Sequence, residues 1–310
     1  MKLTGIFPAS VTPMDSQYRI DYDELKKYLT WLYHEDVDGV AVNVNIGEGL
    51  SLTSEERTNV IKIARSIFGD RPIITGIMGA STAMTIQEAK NAKLAGADYG
   101  MIFPNRVFTA RPLDPAVPAN YYLETFSQSK LPLVLFQLKQ EIGGAEYDMD
   151  TLLQIAKSGS IAAIKEASFD FTKYARTYQA FKEKTPNVSF LTGNDTFLFE
   201  SFIRGADGAL IGFGTLEGAR VKEMLKLVKA GKITEAKRVM DAIQPLADLV
   251  FEPPEWNARA RIKRALYLKG VIREESTYVR PPLTQDETFD ARLKPVLETL
   301  KELTPLKARM

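Results

Sequence analysis

Short apolar runs alternate with amphipathic stretches from residue 5 to residue 230. Eight of the runs have the length and composition of buried strands: Gly5–Thr12, Gly39–Val44, Pro72–Ile77, Tyr99–Phe103, Leu131–Phe136, Ile161–Lys165, Val188–Leu191 and Gly208–Ile211. Eight stretches between and after them have helical spacing: Asp21–His34, Ser54–Phe68, Thr82–Ala95, Pro115–Ser129, Asp148–Lys157, Phe171–Lys184, Asp195–Arg204 and Glu217–Ala230. Alternation of this kind predicts a parallel sheet, because parallel neighbouring strands need a helical crossover between them.

One turn recurs between a predicted helix and the strand after it. Its three copies carry an aspartate just before the strand, at Asp38, Asp98 and Asp207, which are 60 and 109 residues apart. These gaps fit two and four units of about 30 residues, the size of one βα repeat. Eight such units predict an α/β fold of the (β/α)8 barrel type, and an open doubly wound sheet is the alternative. We favour the barrel because no Gly-x-Gly-x-x-Gly motif follows the first strand.

The strand pattern stops at Gly231. Three further helices are predicted beyond it, separated by two proline pairs: Ile233–Leu249, Trp256–Lys269 and Glu287–Leu303. We therefore divide the chain into a catalytic barrel over residues 1–231 and a C-terminal helical region over residues 232–310. We expect this region to pack on the barrel, and a role in joining subunits is the alternative.

Composition excludes several kinds of site. The chain has 310 residues, no cysteine and one histidine, His34, which excludes disulfides, cysteine nucleophiles and His-rich or thiolate metal sites. A net charge of +1 gives no support for nucleic-acid binding or a basic membrane patch. No apolar segment approaches the length of a membrane span, and Met1–Ser10 lacks the core of a signal peptide. We therefore expect a soluble cytoplasmic protein that binds neither nucleic acid nor membrane.

Lys165 ends a short apolar run, Ile161–Lys165, that is predicted to be a buried strand. An amine at the end of such a strand is partly stripped of water, which lowers its pKa and makes the neutral amine available as a nucleophile toward carbonyls. A lysine that bends out to solvent is the alternative. In a parallel barrel the carboxyl ends of the strands form the active-site rim, so this position favours a functional lysine.

The rim of the predicted barrel carries several short motifs in a characteristic order: Pro8–Pro13, Gly47-Glu48, Leu52-Thr53, Glu55–Arg57, Ile164–Glu166, Gly193 with Asp195, and Gly205–Gly208. Each motif alone is weak. Together, at these spacings, they resemble the dihydrodipicolinate synthase / N-acetylneuraminate lyase family, and the resemblance covers most of the chain, including the helical tail.

The resemblance implies that Lys165 forms a Schiff base with a 2-oxo acid, usually pyruvate or a derivative. It also implies a homotetramer or homodimer that needs no metal or organic cofactor. We predict Lys165 and Asn45 as catalytic residues and the following as substrate-binding residues: Ile46, Gly47, Arg106, Phe136, Gly193, Asp195 and Gly212. Three of these have structural alternatives, with Phe136 as a core residue, Arg106 as a surface cation and Asp195 as a helix N-cap.

Two departures from the family pattern mark an atypical member. The usual strand-two motif Gly-Thr-Thr-Gly-Glu is replaced by Val44–Glu48, so the hydroxyl relay is absent and only the Asn45 amide donates and accepts. The strand-five tyrosine, a proton shuttle in typical members, aligns with Phe136. We predict that a bound water near Asn45 carries the proton; Gln137, Glu166 and the substrate carboxylate are the alternatives.

Three functions are compatible with this sequence. The first is a Schiff-base lyase, a dehydratase, deaminase or aldolase of a small hydroxylated 2-oxo acid, and not a typical dihydrodipicolinate synthase. The second is a phosphate-binding barrel enzyme, because Gly193-Asn194 and Gly212–Thr215 resemble a paired anion-binding loop. The third is a catalytically silent binding protein, suggested by the missing relay residues.

Overall fold

The computed structural model describes residues 2–110, 112–285 and 288–302. Its sheet has eight parallel strands, paired in sequence order from β2 to β8, with β8 also paired to β1: β1 Gly5–Pro8, β2 Val40–Val42, β3 Ile73–Ile77, β4 Tyr99–Ile102, β5 Leu133–Leu138, β6 Ile161–Ala167, β7 Ser189–Thr192 and β8 Gly208–Ile211. A bridge between Ala9 and Ala41 closes the ring beside β1 and β2. The predicted (β/α)8 barrel is confirmed.

Eight helices follow the strands and three more follow α8. Their bounds are α1 Tyr22–His34, α2 Ser54–Phe68, α3 Thr82–Ala95, α4 Ala116–Ser129, α5 Met149–Lys157, α6 Phe171–Lys184, α7 Leu198–Arg204, α8 Gly214–Lys229, α9 Ile233–Val250, α10 Ala258–Leu268 and α11 Phe289–Glu302. The predicted bounds of α2, α3 and α6 are correct, whereas Glu287 and Leu303, the predicted ends of α11, lie outside the described residues. Within the described part of the chain, none of these helices has the length and hydropathy needed to cross a bilayer.

The three recurring aspartates make the same contact in the structure. Asp38 accepts a hydrogen bond from the backbone N–H of Ile6, at the start of the neighbouring strand β1, at 2.8 Å. Asp98 does the same for Ile73 on β3, and Asp207 for Phe190 on β7, both at 2.8 Å. Each aspartate therefore joins the amino-terminal ends of two adjacent strands, which satisfies a buried donor and fixes the strand pairing at the closed end of the barrel.

The strands are buried on both faces, as expected for a parallel sheet covered by helices. Every residue of β2, β3, β5 and β8 is buried. This explains why their sequences are continuous apolar runs, since neither face of the sheet meets water. The polar residues at the carboxyl ends of the strands are therefore the exceptions that need an explanation.

The C-terminal helical region packs on the barrel helices. Helix α9 lies against α8 and α7, while α10 contacts α8, α9 and α11. This arrangement agrees with the expected packing on the barrel, while the division at residue 231 stays a prediction. The segment between α9 and α10 reaches over the carboxyl ends of the strands, and it therefore contributes to the site described next.

Candidate active site

Lys165 lies inside the barrel mouth. It is the fifth residue of β6, which extends two residues beyond the predicted end, and it pairs in register with Phe136 on β5 and Leu191 on β7. Only 7% of the residue is exposed, so the side chain does not bend out to water. Burial lowers the pKa of the Lys165 amine to about 8, and the charge of Asp195 opposes this shift.

The amine of Lys165 has an aromatic neighbour instead of a charged partner. Its Nζ lies 4.6 Å from the centroid of the Phe136 ring. No carboxylate oxygen of a described residue lies within 4.0 Å of Nζ. Phe136 itself is fully buried and meets Phe103 edge to face at 5.5 Å. A nearly dry, unpaired amine is the arrangement that favours the neutral form over the ammonium.

Gly193 leaves room for the lysine side chain. A Cβ atom at this position would lie 2.6 Å from Cε of Lys165 and 2.8 Å from Cβ of Ala167. The turn that follows β7 therefore packs directly on the lysine. This close approach of the backbone explains why the position is a glycine, while the substrate-binding role predicted for Gly193 stays a prediction.

Asp195 follows in the same turn and is 4% exposed. Its Oδ1 accepts a hydrogen bond from the backbone N–H of Phe213 at 2.7 Å. Burial raises the pKa of its carboxyl group, and the Phe213 N–H and Lys165 oppose the rise. The alternative of a helix N-cap is wrong, because α7 begins at Leu198 with Phe197 as its cap residue. Asp195 instead joins the ends of β7 and β8.

The loop after β2 covers the opposite side of the mouth. The hydroxyl of Thr12 donates to the backbone oxygen of Gly47 at 2.8 Å. Ile46 packs on Gly212, where an added Cβ would lie 2.9 Å from its Cγ1. The backbone N–H groups of Asn45 and Ile46 donate to no described residue. Ile46, Gly47 and Gly212 therefore lie together near the ends of β1, β2 and β8.

Arg259, from α10, holds Asn45. Its Nε donates to the backbone oxygen of Asn45 at 2.6 Å, and its Nη2 donates to the side-chain Oδ1. The side-chain oxygen of Asn45 therefore already accepts a hydrogen bond, and its NH2 group can still donate one to another partner. Nothing in the sequence signals this contact, because the two residues are 214 positions apart.

The segment 251–259 extends across one side of the mouth. Phe251 lies by the end of β8, where a Cβ on Gly212 would be 3.1 Å from its ring. Glu255 forms an ion pair with Lys139, just after β5, at 3.0 Å. Together with Arg259 at the loop after β2, these contacts place the segment at the ends of β2, β5 and β8.

Two alternative proton carriers lie on the other face of the sheet. Gln137 and Glu166 pair with each other in register, next to the Phe136–Lys165 pair, and successive strand residues point to opposite faces. The Gln137 amide is engaged at both ends by the backbone of Tyr147, at 2.9 and 3.1 Å. Oε2 of Glu166 accepts from Nδ2 of Asn194 at 2.9 Å. Neither side chain shares the face of Lys165.

Arg106 lies farther out. It begins a short 3-10 turn, Arg106–Thr109, and is exposed at the edge of a cavity of about 700 Å³ above the ends of β3, β4 and β5. The structure does not bring Arg106 next to the lysine, and its predicted contact with substrate remains a prediction. No group of three or more metal-ligating side chains occurs among residues 2–110, 112–285 and 288–302.

A sequence model of the dihydrodipicolinate synthetase family matches residues 2–300. The chain belongs to this family. The 4-hydroxy-tetrahydrodipicolinate synthase of Methanothrix thermoacetophila is 25% identical over 300 residues, which cover 97% of this chain and 98% of that protein. A Coccidioides immitis protein named putative 4-hydroxy-2-oxoglutarate aldolase is 27% identical over 311 residues, covering 98% of this chain and 96% of that protein.

Solved structures of dihydrodipicolinate synthetase family members share the fold. The Acinetobacter baumannii dihydrodipicolinate synthase, complexed with pyruvate, superposes with a TM-score of 0.85. It is 25% identical in sequence, and the match covers 97% of this chain and 99% of that one. The resemblance that the rim motifs indicated is therefore confirmed at the level of family and fold.

Proposed function

We propose that this chain is a lyase that acts on a 2-oxo acid through a Schiff base at Lys165. The observation that carries the proposal is the buried amine of Lys165, which lies at the barrel mouth with no carboxylate oxygen of a described residue within 4.0 Å. Burial lowers its pKa to about 8, so a useful fraction of the amine is neutral near neutral pH. Membership in a family that includes a synthase crystallised with pyruvate supports the same chemistry.

The reaction begins with attack of the neutral Lys165 amine on the ketone carbon of the substrate. The carbinolamine formed loses its hydroxyl as water, and the product is a protonated imine. This imine accepts the electron pair released when a bond one carbon further along is broken. Retro-aldol cleavage uses this electron sink for the pair of the C–C bond. Loss of a hydroxyl or an amine uses it when the neighbouring carbon loses a proton, and the enamine then returns the pair as the leaving group departs from the next carbon.

The substrate carboxylate would lie by the loop after β2. The N–H groups of Asn45 and Ile46 are available there, because no described residue accepts from them, and successive backbone N–H groups form a concave anion site. Arg259 adds positive charge beside Asn45. This assignment gives Ile46 the substrate-binding role predicted for it and adds carboxylate binding to the catalytic role predicted for Asn45. Gly47 belongs to the same loop, and its contact with substrate stays a prediction.

Two residues are candidates for the proton carrier. Asn45 with a bound water stays a prediction. Asp195 is the second candidate, because the turn that carries it packs on Lys165 and because burial raises the pKa of its carboxyl group toward neutrality. A buried carboxyl whose pKa lies near the working pH is suited to take up and return a proton.

Reductive trapping tests the proposed function. Incubation with pyruvate and borohydride should add one reduced pyruvate unit to the protein, and peptide mass spectrometry should place it on Lys165. Lys165→Ala should carry no adduct, with circular dichroism confirming that it is folded. Lys237→Met, which removes a lysine of α9 whose side chain is 60% exposed, is the control and should keep the adduct. A folded wild-type protein without an adduct on Lys165 would refute the proposal.

The phosphate-binding alternative has less support. The backbone N–H of Phe213, at the start of α8, already donates to the Asp195 carboxylate at 2.7 Å. An anion bound there would compete with that carboxylate and be repelled by it. The silent binding protein is tested by the trapping experiment, because a protein without reactive lysine would give no adduct.

A further inference from the structure

The cavity above the ends of β3, β4 and β5 has mostly hydrophobic walls. Its volume is about 700 Å³. The side chains of Met78, Phe103 and Leu138 line it from three successive strand ends, and Leu50 and Ala145 line it from the neighbouring loops. A space of this size accommodates a drug-sized group, so it is large for a small, compact substrate such as pyruvate.

This cavity is separated from Lys165 by one aromatic pair. Phe103 lines the cavity and meets Phe136 edge to face at 5.5 Å. Nζ of Lys165 lies 4.6 Å from the centroid of the Phe136 ring. The segment 251–259 contacts the ends of β5 and β8 and the loop after β2, but none of its residues is among the described residues that line the cavity. The cavity is therefore next to the surroundings of the amine and is not filled by this segment.

The neutral polar side chains of the cavity wall, Asn105 and Thr109, make hydrogen bonds within the protein. The Asn105 NH2 donates to Ala80 O at 3.1 Å, and its Oδ1 accepts from Val107 N at 3.1 Å. The Thr109 hydroxyl donates to Arg106 O at 2.8 Å. Arg106 is the single charged residue among the lining residues that the structure describes, and it is exposed at the rim.

We propose that this cavity binds the distal part of the substrate, and that the substrate is a 2-oxo acid with an aryl or branched alkyl group beyond its reacting carbons. The inference rests on the proposed Schiff base at Lys165. A polyhydroxylated chain would lose water contacts on entering the cavity and find few free side-chain donors or acceptors among the described lining residues. An apolar group gains from burial against Met78, Phe103 and Leu138. Arg106 at the rim tolerates an aromatic face.

The test measures imine formation, so it does not depend on which bond the enzyme later breaks. Borohydride trapping is titrated with four probes: pyruvate, 2-oxo-4-phenylbutanoate, 2-keto-3-deoxygluconate and 2-oxoglutarate. The half-saturating concentration of the phenyl probe should be at least about tenfold below that of the sugar acid and of 2-oxoglutarate. Met78→Gln should reduce this preference about threefold or more and leave pyruvate trapping unchanged. Met78→Leu should keep the preference.

A matched control is Leu94→Gln, which makes the same kind of change at a residue of α3 that is 86% exposed and does not line the cavity. It should leave all four titrations unchanged. A pyruvate adduct on Lys165 combined with equal or tighter binding of the sugar acid would overturn the inference and leave the proposed function intact. Tight binding of 2-oxoglutarate would overturn it in favour of an acidic distal group at Arg106. Absence of any adduct would refute the proposed function itself.

Discussion

Two buried lysines in this molecule have opposite surroundings. Lys263, on α10, is fully buried, and its Nζ lies 2.6 Å from Oε1 of Glu48 and 2.6 Å from the backbone oxygen of Tyr278. Lys165 is almost as deeply buried but faces an aromatic ring and has no carboxylate within 4.0 Å among the described residues. Burial lowers the pKa of both amines, and Glu48 opposes the shift at Lys263.

The contrast shows how the surroundings of a buried amine decide whether its charge is compensated. The ammonium of Lys263 is held by direct hydrogen bonds, and it fixes the loop after β2 to the C-terminal helical region. The other oxygen of Glu48 accepts from the backbone N–H of Arg280 at 2.8 Å, so the whole group is satisfied. Lys165 has no such hydrogen-bonded partner among the described residues, so burial opposes its charge and the charge of Asp195 offsets only part of that effect.

The largest effect is expected from Lys263→Met. This change leaves the Glu48 carboxylate buried without its ammonium partner, and breaking a buried pair from one side typically costs about 3–5 kcal/mol. The free energy of unfolding, measured by urea denaturation, should fall by that amount. The double variant Lys263→Met with Glu48→Gln should recover a substantial part, because the uncompensated charge is gone. A loss below about 1 kcal/mol in the single variant would contradict the assignment.

A smaller effect of opposite sign is expected from Lys165→Met. Burial lowers the pKa of Lys165 from 10.5 to about 8, so below pH 8 the folded state holds an ammonium that it disfavours. Methionine removes that cost, and stability at pH 7 should rise by about 1–3 kcal/mol.

The pH dependence of this gain follows from the same shift. Between pH 8 and pH 10.5 the unfolded state binds more protons than the folded state, so wild-type stability rises with pH. The advantage of Lys165→Met should therefore be largest below pH 8 and diminish above it. Parallel urea titrations at pH 7 and pH 9.5 measure this difference. An equal gain at both pH values would show that packing, and not charge, is responsible.

Periodicity alone predicted most of the fold. The alternation of apolar runs and amphipathic stretches is a local property, and the aspartates at 38, 98 and 207 repeat one local contact. The error at the start of α7 has a long-range cause. Asp195 has the character of a helix cap, but its carboxylate binds the Phe213 N–H of the next βα unit, and the helix begins at Leu198 instead.

The site was only partly predictable for the same reason. Residues at strand ends, such as Lys165 and Gly193, follow from the barrel geometry. Arg259 and Lys263 do not, because their partners Asn45 and Glu48 lie 214 and 215 residues away. Nothing local in the sequence of α10 indicates that two of its cations reach the loop after β2. That no carboxylate of residues 2–110, 112–285 and 288–302 comes within 4.0 Å of the Lys165 amine is likewise a property of the assembled mouth.

The smallest effect that sharpens the comparison is expected from Asp195→Asn. The charge of Asp195 partly offsets the loss of water at Lys165, so its removal should move the pKa of the lysine further down. Wild-type trapping with pyruvate should rise with pH and level off above about pH 8 as the amine loses its proton. In Asp195→Asn the rise should occur at lower pH, and trapping at pH 7 should be a few-fold faster.

Turnover should nevertheless fall if the carboxyl carries the proton. An unchanged pH profile would show that Asp195 does not act on Lys165. The comparison with Lys263 gives a control: the loss of unfolding free energy caused by Lys263→Met should be the same with and without Asp195→Asn.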